Sequence, residues 1–207
     1  QISSKAGTGV DRFGGRGQRM RRPRLILSIL APVFLCLIFH AGAYAKEARI
    51  SDVLITNNRD HVLVYAKVVN YLTKEIEAAV MAGVPTTFTY FIDLYQTRSY
   101  WMDKTVSQTV VHHTVKYDNV KKLFHVSFTG RKESAEFQDF DGAMRALVDL
   151  NGIAVAPMKA LMKNKTYYIM IKAELERVKL PLSMEYLFFF VSLWDFETDW
   201  YRHDFIY

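Results

Sequence analysis

Between residues 166 and 177 the chain alternates, with Tyr167, Ile169, Ile171, Ala173 and Leu175 pointing one way and Lys172, Glu174 and Glu176 the other. A period of two is that of a β-strand with one buried face. Residues 50–56 and 61–69 are two more strand-like runs, and the turn formers Asn57-Asn58-Arg59-Asp60 between them make a hairpin. Residues 86–98 place Phe88, Tyr90, Ile92 and Leu94 on one face and Phe91 and Tyr95 on the other, which predicts a strand covered on both sides. Residues 106–117 and 120–129 predict a second hairpin, closed by a two-residue turn at Asp118-Asn119. After Leu180-Pro181, the aromatic-dense residues 186–207 set Trp194, Phe196, Thr198 and Trp200 against Asp195, Glu197 and Asp199. That pattern predicts a final strand of the main sheet, with Trp194, Phe196 and Trp200 facing the core and the acids facing solvent.

Two segments carry the helical period instead. Thr73 is positioned to cap a short helix whose Leu72, Ile76, Ala79 and Val80 share a stripe, stopped by Gly83 and Pro85. Asp139 or Asp141 can cap a second helix, in which Phe140, Ala143, Met144, Leu147 and Val148 recur at helical spacing and Asn151-Gly152 supplies the stop. Helices do not alternate regularly with strands, which argues against a doubly wound parallel sheet. The predicted fold class is mainly β, an antiparallel β-sandwich-like domain of about seven to eight strands with two short helices.

The N-terminal pattern concerns address. Arg19, Arg21, Arg22 and Arg24 precede a 15-residue apolar run from Leu25 to Phe39, and Ala43-Tyr44-Ala45 follows it, the three parts of a secretory signal with its cleavage site. Residues 1–19, Gly-rich and Arg-rich ahead of Met20, read as a non-native leader or over-long gene start; residues 20–45 as the signal peptide; residues 46–207 as a single β-rich domain. An uncleaved anchor is the alternative, because residues 25–45 are 21 positions without a formal charge, about enough to cross ~30 Å of hydrocarbon. Pro32, His40 and Gly42 weaken a spanning helix, and Val33-Phe34-Leu35 puts bulky residues where a lipidation signal at Cys36 would want small ones. Either way the domain is expected outside the cytoplasm, periplasmic or anchored to the inner membrane facing the periplasm.

Charge changes meaning once that segment is set aside. The net charge of +6 owes seven of the 27 bases and one of the 21 acids to residues before 46, leaving 20 of each in the domain. A neutral domain lacks the basic excess that phosphate binding needs, so no nucleic-acid partner is expected. Cys36 is the single cysteine, so residues 46–207 hold no disulfide, thiolate ligand or cysteine nucleophile.

Residues 50–207 resemble the proteobacterial domain of unknown function 4390. The resemblance rests on Ala82-Gly83-Val84-Pro85 after the first helix, the strand Thr87-Phe88-Thr89-Tyr90-Phe91, Tyr100-Trp101-Met102-Asp103, the Tyr117 hairpin, and the helix of residues 140–150. Leu180-Pro181, Trp194-Asp195-Phe196 and Asp199-Trp200-Tyr201 complete it. It implies a small exported or membrane-anchored envelope protein with no assigned activity or catalytic residue. It also implies an accessory role beside membrane sensor histidine kinases of the nitrogen-regulation type.

Signatures of common chemistry are absent from residues 46–207: no G-x-S-x-G, Gly-rich phosphate loop, H-E-x-x-H or C-x-x-C. With a two-residue turn at 118–119, His112 and His125 would lie directly opposite on a face shared with Lys116 and Lys121, where two imidazoles could begin a transition-metal site or form a solvated pair. A third ligand is not evident. His113, on the face of Val111 and Val115, reads as a hydrogen-bonded residue at the core edge. Asp195, Glu197 and Asp199 could bind a hard cation or face solvent as on any exposed strand. Aromatic residues number 25 among the 162 of the domain, and many of them must fill the core. Tyr100, Trp101 and Met102, at a strand end, suit an exposed interface anchor; the rest could fill the core or line a ligand cavity.

These readings predict a non-enzymatic extracytoplasmic binding or accessory domain of the bacterial envelope, with no cofactor. The expected partner is an envelope or inner-membrane protein, a sensor histidine kinase among the candidates, with membrane association through residues 25–45. The alternatives are a carrier or sensor of a small apolar ligand and a metal-dependent hydrolase.

Overall fold

A computed structural model describes residues 47–176 and 196–207. Strand β1 (Arg49–Asn57) and β2 (His61–Val69) form the expected hairpin, and β7 (Asp149–Pro157) adds to β2, giving a three-stranded antiparallel sheet in the order β1-β2-β7. The larger sheet has six antiparallel strands in the order β6-β5-β4-β3-β8-β9: β6 (Ala135–Phe137), β5 (Leu123–Phe128), β4 (Lys104–Asp118), β3 (Thr86–Gln96), β8 (Thr166–Leu175) and β9 (Tyr201–Ile206). Two antiparallel sheets with two short helices are the mainly β, sandwich-like class that the alternation predicts.

The core lies on one face of the large sheet. Phe88, Tyr90, Ile92 and Leu94 of β3 and Tyr167, Ile169, Ile171 and Ala173 of β8 are fully buried, and Val62, Val64, Ala66 and Val68 of β2 meet them from the small sheet. The helices α1 (Lys74–Met81) and α2 (Phe140–Val148) finish that second layer with Ile76, Ala79 and Val80, and with Ala143, Met144, Leu147 and Val148. Both expected caps are made: Thr73 Oγ1 accepts from the Ile76 N–H and Asp139 Oδ1 from the Gly142 N–H. Leu72 lies outside the helical stripe, ahead of the cap and exposed.

The structure corrects the sequence reading in three places. The turn between β4 and β5 has four residues, because Asp118 Oδ1 accepts the N–H groups of both Val120 and Lys121 at 2.9 Å and the Asp118 carbonyl accepts from Lys122, which takes a positive φ of 57°. Asn151-Gly152 does not end α2; the helix stops at Val148 and passes directly into β7, where Gly152, at φ 70°, sits at a register shift opposite Tyr65. On the outer face of β3, Thr89 is buried and Phe91, Asp93 and Tyr95 are half-buried.

The last correction concerns the C-terminal segment. It does join the large sheet, but Glu197 bridges Glu174 whereas Tyr201 pairs Ile171, a one-residue shift that reverses which side chains point inward. Phe196 packs edge-to-face on Phe88 at 5.3 Å and Thr198 is buried, while Trp200 is exposed. Trp194 and Asp195 lie outside the described residues, as do 177–193.

Candidate functional site

The described surface shows its greatest apolar exposure at one end of the large sheet. Chain pairing brings Gln96, Lys104, Tyr167 and Phe205 together there, and the loop of residues 97–103 projects beyond them. Its neck is fixed: the Thr97 N–H donates to the Thr166 carbonyl, the Arg98 N–H donates to Asp103 Oδ1, and the Tyr168 hydroxyl donates to Asp103 Oδ2, each at 3.0 Å. With both oxygens of Asp103 engaged, the loop is closed at its base, while its tip makes no comparable bond among the described residues. Tyr100, Trp101 and Met102 occupy the tip, 99%, 76% and 81% exposed.

A firm platform supports the neck. Tyr95 stacks on Tyr168 at 5.1 Å, and the Arg202 guanidinium lies 3.8 Å from the Tyr168 ring while bonding Asp204. Desolvation and the neighbouring Asp103 carboxylate raise the Tyr168 phenol above its ordinary range, so it stays protonated and keeps donating. Arg98, Lys104, Lys163 and Lys165 are exposed at the same end. Exposed Met162 and Ile206 adjoin them, as does a recess of about 230 Å³ between the sheets whose walls include Ile55, Met158, Leu161 and Phe205.

The two candidate metal ligands are not brought together. In the observed register His125 faces Lys116 and has Glu136 at 3.4 Å, whereas His112 is bound by the backbone of Thr129. The longer turn moves the pairing by four positions, which is why opposition fails. On the outer sheet face, His112 Nδ1 is 2.9 Å from Thr89 Oγ1 and 3.0 Å from Glu176 Oε1, and the Thr89 hydroxyl donates to that same carboxylate oxygen at 2.6 Å. Among the described residues, no three His, Cys, Asp or Glu side chains gather as a metal site. Glu197 is met by Lys172, whose ammonium also bonds Glu174, so its charge is answered within the sheet.

His113 is 3% exposed, with Nδ1 donating to the Leu147 carbonyl at the end of α2, 2.9 Å away. Tyr90 donates to the same carbonyl at 3.0 Å. Desolvation depresses the His113 pKa and holds the ring neutral. Sequence reasoning placed this histidine correctly but missed Arg131 and Asp149, which line a cleft beside it. Nothing in their local pattern marks them, because a loop and the unforeseen β7 supply them.

The family model for the Domain of unknown function (DUF4390) matches residues 45–204. The chain belongs to this family. Its match spans both helices and strands of both sheets, ending within β9 at residue 204. No curated protein and no solved structure matches the chain.

Proposed function

We propose that this is a non-enzymatic accessory domain that works outside the cytoplasm, at the bacterial envelope, by docking a protein partner through Tyr100, Trp101 and Met102. The observation that carries the reading is the tip itself: three large side chains held in water on a neck whose every tie is satisfied. Aromatic anchors with a surrounding rim are the usual energetic centre of a protein interface. Here Arg98, Lys104, Lys163 and Lys165 form a cationic rim, which fits a partner with an apolar pocket bordered by carboxylates. The secretory pattern of residues 20–45 supports an extracytoplasmic address. An inner-membrane protein, with the sensor histidine kinases implied by the family resemblance as first candidates, is the partner class we assign.

A photocrosslinking residue at position 101 tests this in envelopes of the producing cells, with position 120, a 92% exposed residue of the β4–β5 turn, as control. Position 101 should yield an adduct with an integral membrane protein, suppressed by excess unmodified domain and not by its Tyr100→Ala, Trp101→Ala, Met102→Ala variant. Equal adducts at both positions, or none at 101, would refute the docking site. A second reading, carriage of a small apolar ligand, rests on the recess of about 230 Å³ between the sheets and requires lipid to copurify with the domain.

A further inference from the structure

A different site lies where the free edge of β7 approaches β4, β5 and the end of α2. It is a cleft of about 190 Å³, room for about six water molecules or one small metabolite. It shares no residue with the aromatic loop.

Three features give this cleft a chemical character. His113 is buried and its Nδ1–H is spent on the Leu147 carbonyl, so the neutral ring has only the Nε2 lone pair to offer. Nε2 has no hydrogen-bond partner among the described residues, and His113 is one of the residues that line the cleft. Phe128 packs edge-on against His113 at 4.8 Å and carries the Arg131 guanidinium at 5.0 Å, which places a cation and an acceptor on one aromatic support. Arg131 has no ion pair among the described residues. Asp149 completes the lining, with Lys67 and Arg145 as the cations that act on its carboxylate. Ile153, with Phe128, supplies an apolar wall.

We propose that the cleft binds a small α-substituted carboxylate, Arg131 holding the carboxylate and His113 Nε2 accepting a hydrogen bond from the α-substituent. An amino acid and a 2-hydroxy acid share this chemistry. The Asp149 carboxylate favours the α-ammonium.

The test is titration of the full domain, labelled with nitrogen-15 in histidine, with alanine, valine, lactate, 2-hydroxyisovalerate and propionate. Saturable movement of the His113 Nε2 resonance with a dissociation constant of about 1 mM or tighter is expected for the amino acids. Propionate, lacking a donor, should bind at least about tenfold more weakly. Arg131→Gln, at an exposed position that folding tolerates, should weaken binding by about tenfold or more. Tighter binding of the 2-hydroxy acids would keep the site and assign it to the hydroxyl class. An unmoved Nε2 resonance with all five compounds at about 10 mM, or full binding by Arg131→Gln, would overturn the proposal. Docking through position 101 is read separately, so either result stands without the other.

Discussion

His113 couples the interior to pH. Desolvation lowers its pKa below the usual 6.5, with the nearby Arg131 guanidinium adding to the effect. The unfolded chain then takes up a proton before the folded one does, so this contribution to stability is complete above about pH 6.5 and is lost as pH falls through the depressed value. Urea unfolding between about pH 7.5 and about 5.5 should show stability falling with pH, and His113→Gln should flatten that slope although it costs stability throughout. An unchanged slope would mean that another group titrates. Ser107 offers the opposite case. Its buried, unpartnered hydroxyl is a cost, so Ser107→Ala should be neutral or stabilising by up to about 1 kcal/mol in the same assay.

The elements were legible in proportion to how long a single period runs. β3 and β8 each bury alternate residues over ten or more positions, and the helices announce themselves with Thr73 and Asp139 caps that the structure makes. β6 has three residues, too few for any period to register. β7 failed for a different reason: Asn151-Gly152 is the standard stop after a helix, and the same residues serve here as a bulge inside a strand. Gly152 can do so because its φ is positive and because a Cβ there would lie 3.1 Å from the Tyr65 hydroxyl. Gly152→Ala should therefore destabilise the domain by more than about 1 kcal/mol, whereas Asp139→Ala, which removes a cap and no packing, should cost about 1 kcal/mol. Melting curves of the two variants separate a backbone requirement from a capping bond. The candidate site divides along the same line. Tyr100, Trp101 and Met102 were readable because consecutive large side chains between two strands have nowhere to bury, while the opposition of His112 and His125 depended on a turn length that Asp118 alone decides.

At the scale of the molecule, the large sheet bears both the core and the exposed loop, yet the two draw on different residues. Removing residues 194–207 would take away β9, the contact of Phe196 with Phe88, the stack of Phe205 on Tyr167 and the Thr198 hydroxyl that accepts from the Ala173 N–H. It would leave β8, whose Tyr167, Ile169 and Ile171 are fully buried, as an unpaired edge. Each ring returned to water costs roughly 4 kcal/mol before entropy is recovered, so losing two approaches the 5–15 kcal/mol that holds a domain of this size together. The truncated chain should be insoluble or melt far below the intact domain. By contrast, Tyr100→Ala, Trp101→Ala and Met102→Ala in combination should leave the melting temperature nearly unchanged, because side chains already 76% to 99% exposed surrender almost no burial. A marked fall in the melting temperature of the triple variant would show that the tip is part of the fold, and a normally melting truncation would show that the C-terminal strand is not. The first outcome would remove the ground for docking through the loop, since an anchor that is free to bind must be one that the domain can spare.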